Sequence, residues 1–504
     1  MFTVTRRQVL AGAASAAGLL ALDACSSART PSAAISPTSA AVRDAEAARR
    51  RAGQRLVTAK FTARPATLDL GGPKVNSWAY SDQLPGPVLR ARAGDLLRVT
   101  LDNQLPAPTS IHWHGIALRN DMDGVPAVTQ APIAPGSRFT YEFTVPDPGT
   151  YFYHPHVGVQ LDRGLYGVLL VDDPNDTGRY DADWTVVLDD WVDGTGRTPD
   201  DILAGFSATN SGTGMGGMGG GGTAGMGGMG GGGMGETMRS PVLGGAGDIA
   251  YPYYLANGRV PAAPQTFIGK PGQRIRLRLI NAGSDTAFRV ALGGHRMTVT
   301  HSDGFPVVPF TADALIIGMG ERFDVEVTLS DGVFPLIAEA EGKTGQAMAL
   351  IRTGSGRPPA ATVRVDELHG QVLLGTQLRA SEAAQLASKT VDRTYNLLLG
   401  GGMTGYRWTI NGKIFAESSP LPITEGQRVR LRFANHTAMF HPMHLHGHTF
   451  AVAGGGPRKD TVIVRPMQSV DVEFDATNPG QWVTHCHNIY HAERGMMVAL
   501  SYLH

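Results

Sequence analysis

The chain has 504 residues, enough for two to four domains. Its 44 acidic and 44 basic side chains cancel, which excludes the one-signed field of a nucleic-acid or membrane-surface binder. Alternating stretches such as LRVTLDN and IRLRLIN recur, and helix-period stretches are rare, so an all-β chain is expected.

Residues 1–25, MFTVTRRQVLAGAASAAGLLALDAC, do not belong to the fold. Arg6 and Arg7 precede a short apolar run of small residues, which reads as a twin-arginine export signal. The run is short for a membrane span. Leu22-Asp23-Ala24-Cys25 resembles a bacterial lipobox, which would lipidate Cys25 after cleavage and attach the protein to a membrane. The expected location is the cell envelope, periplasm or cell surface. Twin-arginine export carries folded, often cofactor-loaded proteins. With Cys25 lipidated or removed, Cys486 is the only thiol, and no intrachain disulfide can form. Residues 26–50, rich in Ala, Ser and Arg, read as a tether.

The rest of the chain repeats itself. GDLLRVTLDN (94–103), GQRIRLRLIN (272–281) and GQRVRLRFAN (426–435) each run from glycine through an alternating strand to asparagine at one offset. A second segment recurs as PGSRFTYEFTV (135–145), GMGERFDVEVTL (318–329) and RPMQSVDVEFDA (465–476). A third links the outer units, at 148–171 and 479–500. This self-similarity predicts three related β-sandwich domains, at 51–175, 176–360 and 385–504, with a connector over 361–384 that has some helix. The second unit contains a Met/Gly-rich stretch over 209–238 that cannot bury a core.

The histidines sort by domain. His112 and His114 flank Trp113, and His154 and His156 flank Pro155 in the first unit. The third unit holds His441, His444 and His446, then His485, Cys486, His487 and His491. The matching place in the second unit reads FRVALGGH, so the middle domain keeps the fold without the ligands. In a strand, residues i and i+2 face one side, so four His–X–His pairs offer eight imidazoles, half from each outer domain. These would build a site at the interface of the outer domains. Cys486 faces the other way, where it can meet His441, His491 and Met496: a thiolate, two imidazoles and a weak thioether form a blue-copper ligand set. Structural zinc would more often show cysteine-rich closed ligation.

HWHG, HPH, HPMHLH and HCHNIYHAERGM resemble the four copper-binding motifs of the multicopper oxidases, in order and across the mature chain. The resemblance is to three-domain bacterial laccases and cuprous oxidases, and it implies cupredoxin-like Greek-key β-sandwiches and four coppers per chain. It assigns His441, Cys486 and His491, with Met496 axial, to a type 1 copper, and His112 and His444 to a type 2 copper. His114, His154 and His487 fall to one type 3 copper, and His156, His446 and His485 to the other. The implied activity is one-electron oxidation of Cu(I), Fe(II) or a phenol at the type 1 site, coupled to reduction of dioxygen to water, in a monomer with a role in copper tolerance.

Asp123, in DMDGVP, matches a family acid near the type 2 copper and is a candidate proton donor. Many bacterial relatives place a glutamate directly after the last type 1 histidine. This chain has Ala492 there and Glu493 next, so Glu493 is the candidate substitute. Met215, Met218, Met226, Met229, Met234 and Met238, with Met403 and Met439, are candidate soft ligands for substrate Cu(I). The alternative of another class is a copper-sequestering protein with little turnover.

Overall fold

The computed structural model describes residues 33–176, 178, 180–208 and 238–504. Residues 1–25, where an export signal is expected, lie outside the described residues, and so do Met215, Met218, Met226, Met229 and Met234.

Each repeat folds as two packed sheets. The first has the order Lys74–Tyr80, Leu56–Asp69, Leu96–Asn103, Arg138–Thr144, and it faces a sheet of Gly86–Arg92, Gly167–Asp172, Gly149–His154 and His112–His114. Two six-stranded sheets form the second unit, and a six- and a five-stranded sheet form the third. The repeated strands occupy equivalent places. Leu96–Asn103 pairs antiparallel with Arg138–Thr144, Arg274–Asn281 with Arg322–Thr328, and Arg428–Asn435 with Ser469–Asp475.

The asparagine ending each repeat has a structural cause. Asn103 donates its amide to the carbonyls of Ala107 and Ile133. Asn281 does the same to Thr286 and Ile317, and Asn435 to Met439 and Val464. Each side-chain oxygen accepts from the backbone N–H two residues on, at Leu105, Gly283 and Thr437. All three side chains are buried. Asn281 and Asn435 clamp the loop leaving their strand to the facing sheet, and Asn103 clamps its loop to the segment around Ile133; in the outer domains that loop leads to the histidines.

The tether departs from expectation. Ala40–Arg49 is a helix, with Ser39 as its N-cap. Its Glu46 is buried and accepts from the N–H and the hydroxyl of Thr144. Just before the helix, the N–H of Ile35 donates to Tyr502. Residues 34–50 are therefore docked on the outer domains. The alanine-rich composition suits a helix as well as a spacer, and tertiary hydrogen bonds decide between them. The connector holds three 3-10 turns, at Asp366–His369, Gly375–Gln377 and Glu382–Ala384, and no α-helix. Its Val372–Leu374 adds an edge strand to a sheet of the second unit.

Candidate metal centres

Two strand pairs carry most of the histidines. His112–His114 lies against Gly149–His154, with His112 opposite His154, and Trp113 turns into the core against Tyr141, Phe143 and Tyr153. His441–Leu445 lies against Gln481–Cys486, with His444 opposite His485 and Met443 opposite Cys486. The strands end at His154, Leu445 and Cys486, so of the four His–X–His pairs only His112 and His114 have both members within a strand. His446 and His487 keep ladder-like bonds just past the ends, to the carbonyls of Val483 and Pro442, and so still face the site. Asn488 caps the short helix Ile489–Glu493, accepting from Tyr490 and His491, and this turns the chain so that His491 returns to Cys486.

The cysteine site is a tight triangle. Cys486 Sγ lies 3.5 Å from His441 Nδ1 and 3.6 Å from His491 Nδ1, and those two nitrogens are 3.2 Å apart. Each ring is held from outside: His441 Nε2 donates to the Thr437 hydroxyl at 2.9 Å, and His491 Nε2 to Asp248 at 2.8 Å. With both Nε2–H groups committed outward, the two Nδ1 lone pairs face each other, an arrangement that a cation between them resolves. Burial pushes the Cys486 thiol well up, so the free site holds a thiol and a metal would have to draw off its proton. Met496 is fully buried beside it, its N–H on His491 and its carbonyl accepting from Cys486.

The eight remaining imidazoles close on one another, with the same logic. His112 and His444 donate Nδ1–H to the carbonyls of Asp123 and Asp460, both at 2.9 Å. His446 donates to the Asp123 carboxylate at 2.9 Å, and His114 donates Nε2–H to Asp460 at 3.0 Å. His154 and His485 donate to the carbonyls of Pro155 and Cys486. The opposite nitrogens are left inward. His112 Nε2, His114 Nδ1, His154 Nε2, His444 Nε2 and both nitrogens of His487 are buried with no hydrogen-bond partner. Each buried orphan costs ~1–3 kcal/mol, so a constellation of them is the mark of metal ligands. His446 Nε2 and His156 Nε2 lie 3.0 and 3.4 Å from His485 Nε2, so His156, His446 and His485 form one three-donor group. The ring of His487 is 4.8 Å from His114 and 5.3 Å from His154. His112 is shared: its free nitrogen groups with His444 and His446 on one side and with His114 and His154 on the other. Burial, reinforced by neighbouring rings, holds His154, His156, His446 and His487 well below their ordinary range, which keeps them neutral and able to ligate.

Asp123 sits at the centre of this scaffold, fully buried, and steadies two rings. Gly124 follows at φ +82°, and a Cβ there would lie 1.9 Å from the Ile111 carbonyl, so the turn that delivers Asp123 requires glycine. Glu493 is exposed at the rim of a cavity of about 480 Å³ that His156 also lines; partial desolvation there raises its carboxyl pKa. Met439 is buried, its Sδ packed on Gly245. Met403 is 45% exposed, and Met238 is half-buried at the edge of the undescribed stretch.

Some residues escaped the motif reading. Asp460 bridges His114 to the fully buried Arg322, whose guanidinium reaches both carboxylate oxygens at 2.7 and 2.6 Å. Burial alone would raise this carboxyl, but Arg322 and His114 hold it well below its usual range. Asp248, on the middle domain, orients His491, and Tyr406 donates its hydroxyl to the same carboxylate oxygen at 2.7 Å. The Trp408 ring lies 4.0 Å from His491. The middle domain thus supplies no ligand to the described histidine groups but supplies the acid and the arginine that set two rings. His295, at the place matching the outer ligands, donates to or accepts from backbone only, at Gly293 and Ser330.

Comparison with known proteins agrees with this geometry. Three family models, each described as multicopper oxidase, match residues 62–176, 183–356 and 390–503. The chain is 51% identical over 502 residues to the multicopper oxidase MmcO of Mycobacterium tuberculosis, covering 99% of this chain and 96% of that protein. It is 29% identical to a copper resistance protein A homolog of Pseudomonas syringae, covering 86% of this chain and 90% of that protein. A crystal structure of a multi-copper oxidase from Pseudomonas thermotolerans superposes with a TM-score of 0.65 at 25% identity, over 89% of this chain and all of that one.

Proposed function

This chain belongs to the multicopper oxidase family, and from that premise we propose that it is an exported oxidase whose preferred electron donor is Cu(I). As a member of that family it is a copper-dependent oxidoreductase that uses dioxygen with a metal-ion or phenolic donor. The proposal assigns four coppers per chain. His441, Cys486 and His491, with Met496 beside them, would hold the type 1 ion, and His112 and His444 would hold the type 2 ion. His114, His154 and His487 would hold one type 3 ion, and His156, His446 and His485 the other. The observation that carries this is the outward commitment of one nitrogen on most of these rings, which leaves the other aimed at a shared centre. The chemistry that bound copper would supply is one-electron oxidation of a donor at the cysteine site and, at the histidine cluster, reduction of dioxygen by four electrons and four protons to two waters. A storage role would not need two such centres on one strand.

The protein's own residues position and supply protons. Cys486 lies between His485 and His487, so one stretch of backbone joins the two centres. Asp123 holds His112 and His446 and is the proposed proton donor to the cluster. Glu493 replaces the glutamate that relatives carry at the position of Ala492. It shares a cavity with half-buried His156, and its raised carboxyl pKa lets it hold a proton nearer neutral pH.

The preference for Cu(I) rests on thioethers. Met439 packs on Gly245, and Met238 precedes the strand Arg239–Ser240, so the chain leaving the Met/Gly stretch passes beside Met439. Met439 is two residues from His441 and accepts from Thr437, whose hydroxyl meets the His441 ring. Soft thioethers select Cu(I) over Fe(II). Export by the twin-arginine route, anchoring through lipidated Cys25, and a part in copper tolerance complete the proposal, the last supported by the copper resistance protein among its relatives. The test is steady-state kinetics with Cu(I), Fe(II) and 2,6-dimethoxyphenol, on the intact protein and on one lacking residues 209–238. The expected result is a fall in kcat/KM for Cu(I) with phenol oxidation similar or faster. Unchanged Cu(I) oxidation with collapsed phenol oxidation would contradict the proposal.

A further inference from the structure

The two histidines of the cysteine site present different outer edges. His441 turns its outer nitrogen to Thr437, with Met439 bonded to the same hydroxyl. His491 turns its outer nitrogen to Asp248, and there the Tyr406 phenol occupies the same acceptor oxygen. Tyr406 is 1% exposed. Its ring stacks on Phe206 at 3.9 Å with 9° between planes and meets Trp408 edge-on at 5.9 Å. Its backbone is held at φ +38°, in a turn where Gly405 stands at +74°. Such a conformation in a bulky residue costs ~1–3 kcal/mol and persists only where the surroundings enforce it, often at a functional site. Tyr406 also lines the cavity of about 480 Å³, with Arg407, Ile414 and Phe415. A cavity of that size and mixed lining suits a single-ring aromatic molecule.

We propose that Tyr406 determines substrate specificity by standing, as a built-in phenol, where an external phenol would reach Asp248 and the edge of His491. The inference rests on reading His441, Cys486 and His491 as the type 1 site. A phenolic donor at this edge needs an acceptor for its hydroxyl and ring contact close to His491. Asp248 is the acceptor and Tyr406 has taken it, while Trp408 covers the ring face of His491. The cavity brings an aromatic molecule as far as Tyr406 and no further. Metal ions need no ring-sized opening, and the His441 edge offers Thr437 and Met439 instead, so the obstruction acts on organic donors.

The test is a graded series, Tyr406→Phe, Tyr406→Leu and Tyr406→Ala, in the copper-loaded enzyme. Three quantities are read: the visible charge-transfer band, kcat and KM for 2,6-dimethoxyphenol and Cu(I), and calorimetric binding of p-nitrophenol, which is too electron-poor to be oxidised. Tyr406→Ala is expected to lower KM for dimethoxyphenol about tenfold, to raise the phenol-to-Cu(I) ratio of kcat/KM by at least as much, and to tighten p-nitrophenol binding in parallel. Leu should fall between, and Phe, which keeps the ring, should stay within about threefold of the parent. Blue Ala and Leu variants with unchanged phenol KM and p-nitrophenol affinity would overturn the proposal, as would a Phe variant as permissive as Ala. If Ala loses the band, Leu carries the comparison. A parent protein that lacks the band contradicts the type 1 reading instead, and the calorimetry, which needs no turnover, separates the two failures.

Discussion

Asp460, like Asp123, steadies two rings of the histidine cluster. Its carboxylate receives His114 and both arms of Arg322, and its carbonyl receives His444. Asp460→Asn would take from the buried Arg322 its nearer carboxylate and leave it Asp303 at 3.7 Å, at a cost of ~3 kcal/mol, and would loosen the His114 tautomer. Supporting residues of this kind are worth about 10–100-fold in metal affinity. The variant should melt lower and lose copper faster to a chelator, as read by thermal denaturation and by copper per chain after dialysis. Copper retention equal to the parent would contradict the role. The histidines that the structure gathers were legible because a His–X–His pair has a fixed period and four pairs recur in order. Asp460, Asp248, Arg322 and Tyr406 were not, because each is an ordinary residue whose meaning comes from a partner far along the chain. Asp248 and His491, for example, are 243 residues apart.

Among the elements, the repeated asparagine shows how a sequence period becomes a structural part. Its nine-residue offset from glycine was visible three times, and each copy clamps the loop that follows it, two of them to the opposite sheet. Asn281→Ala would strand the carbonyls of Thr286 and Ile317 and the N–H of Gly283 in the core. With ~1–3 kcal/mol for each unsatisfied buried group, a loss of about 3 kcal/mol is expected, read as a lower denaturant midpoint at unchanged m. A stability equal to the parent would mean that the repeat is not the clamp described. The helix Ala40–Arg49 was less legible. Its composition allows either spacer or helix, and what fixes it is the bond from Glu46 to Thr144, which no local pattern contains. In the connector, too, pairing of Val372–Leu374 with a distant strand overrode a helical pattern.

Across the whole molecule, the outer domains bring the donors and the middle domain braces them, and the cost is a core full of neutral histidines. Burial holds His485 at about 3 and His448 at about 4, and several other rings well below their ordinary range. In the unfolded chain these rings titrate near ~6.5, so below that pH the unfolded state binds more protons than the folded one. Stability of the metal-free protein is then full above about pH 6.5 and falls as pH drops toward the folded values, His448 alone contributing a loss of ~3 kcal/mol by pH 4. A melting-temperature series on metal-free protein should fall steadily from pH 7 to pH 4; a flat or rising series would contradict the neutral-ring account. The central claim is that one strand serves two copper centres through Cys486. The most direct measurement is the visible spectrum and the copper content of Cys486→Ser beside the parent. The parent should be intensely blue with about four coppers per chain, and the variant should lose the band, the activity and about one copper while keeping the rest. A Cys486→Ser protein that stays blue would contradict the account.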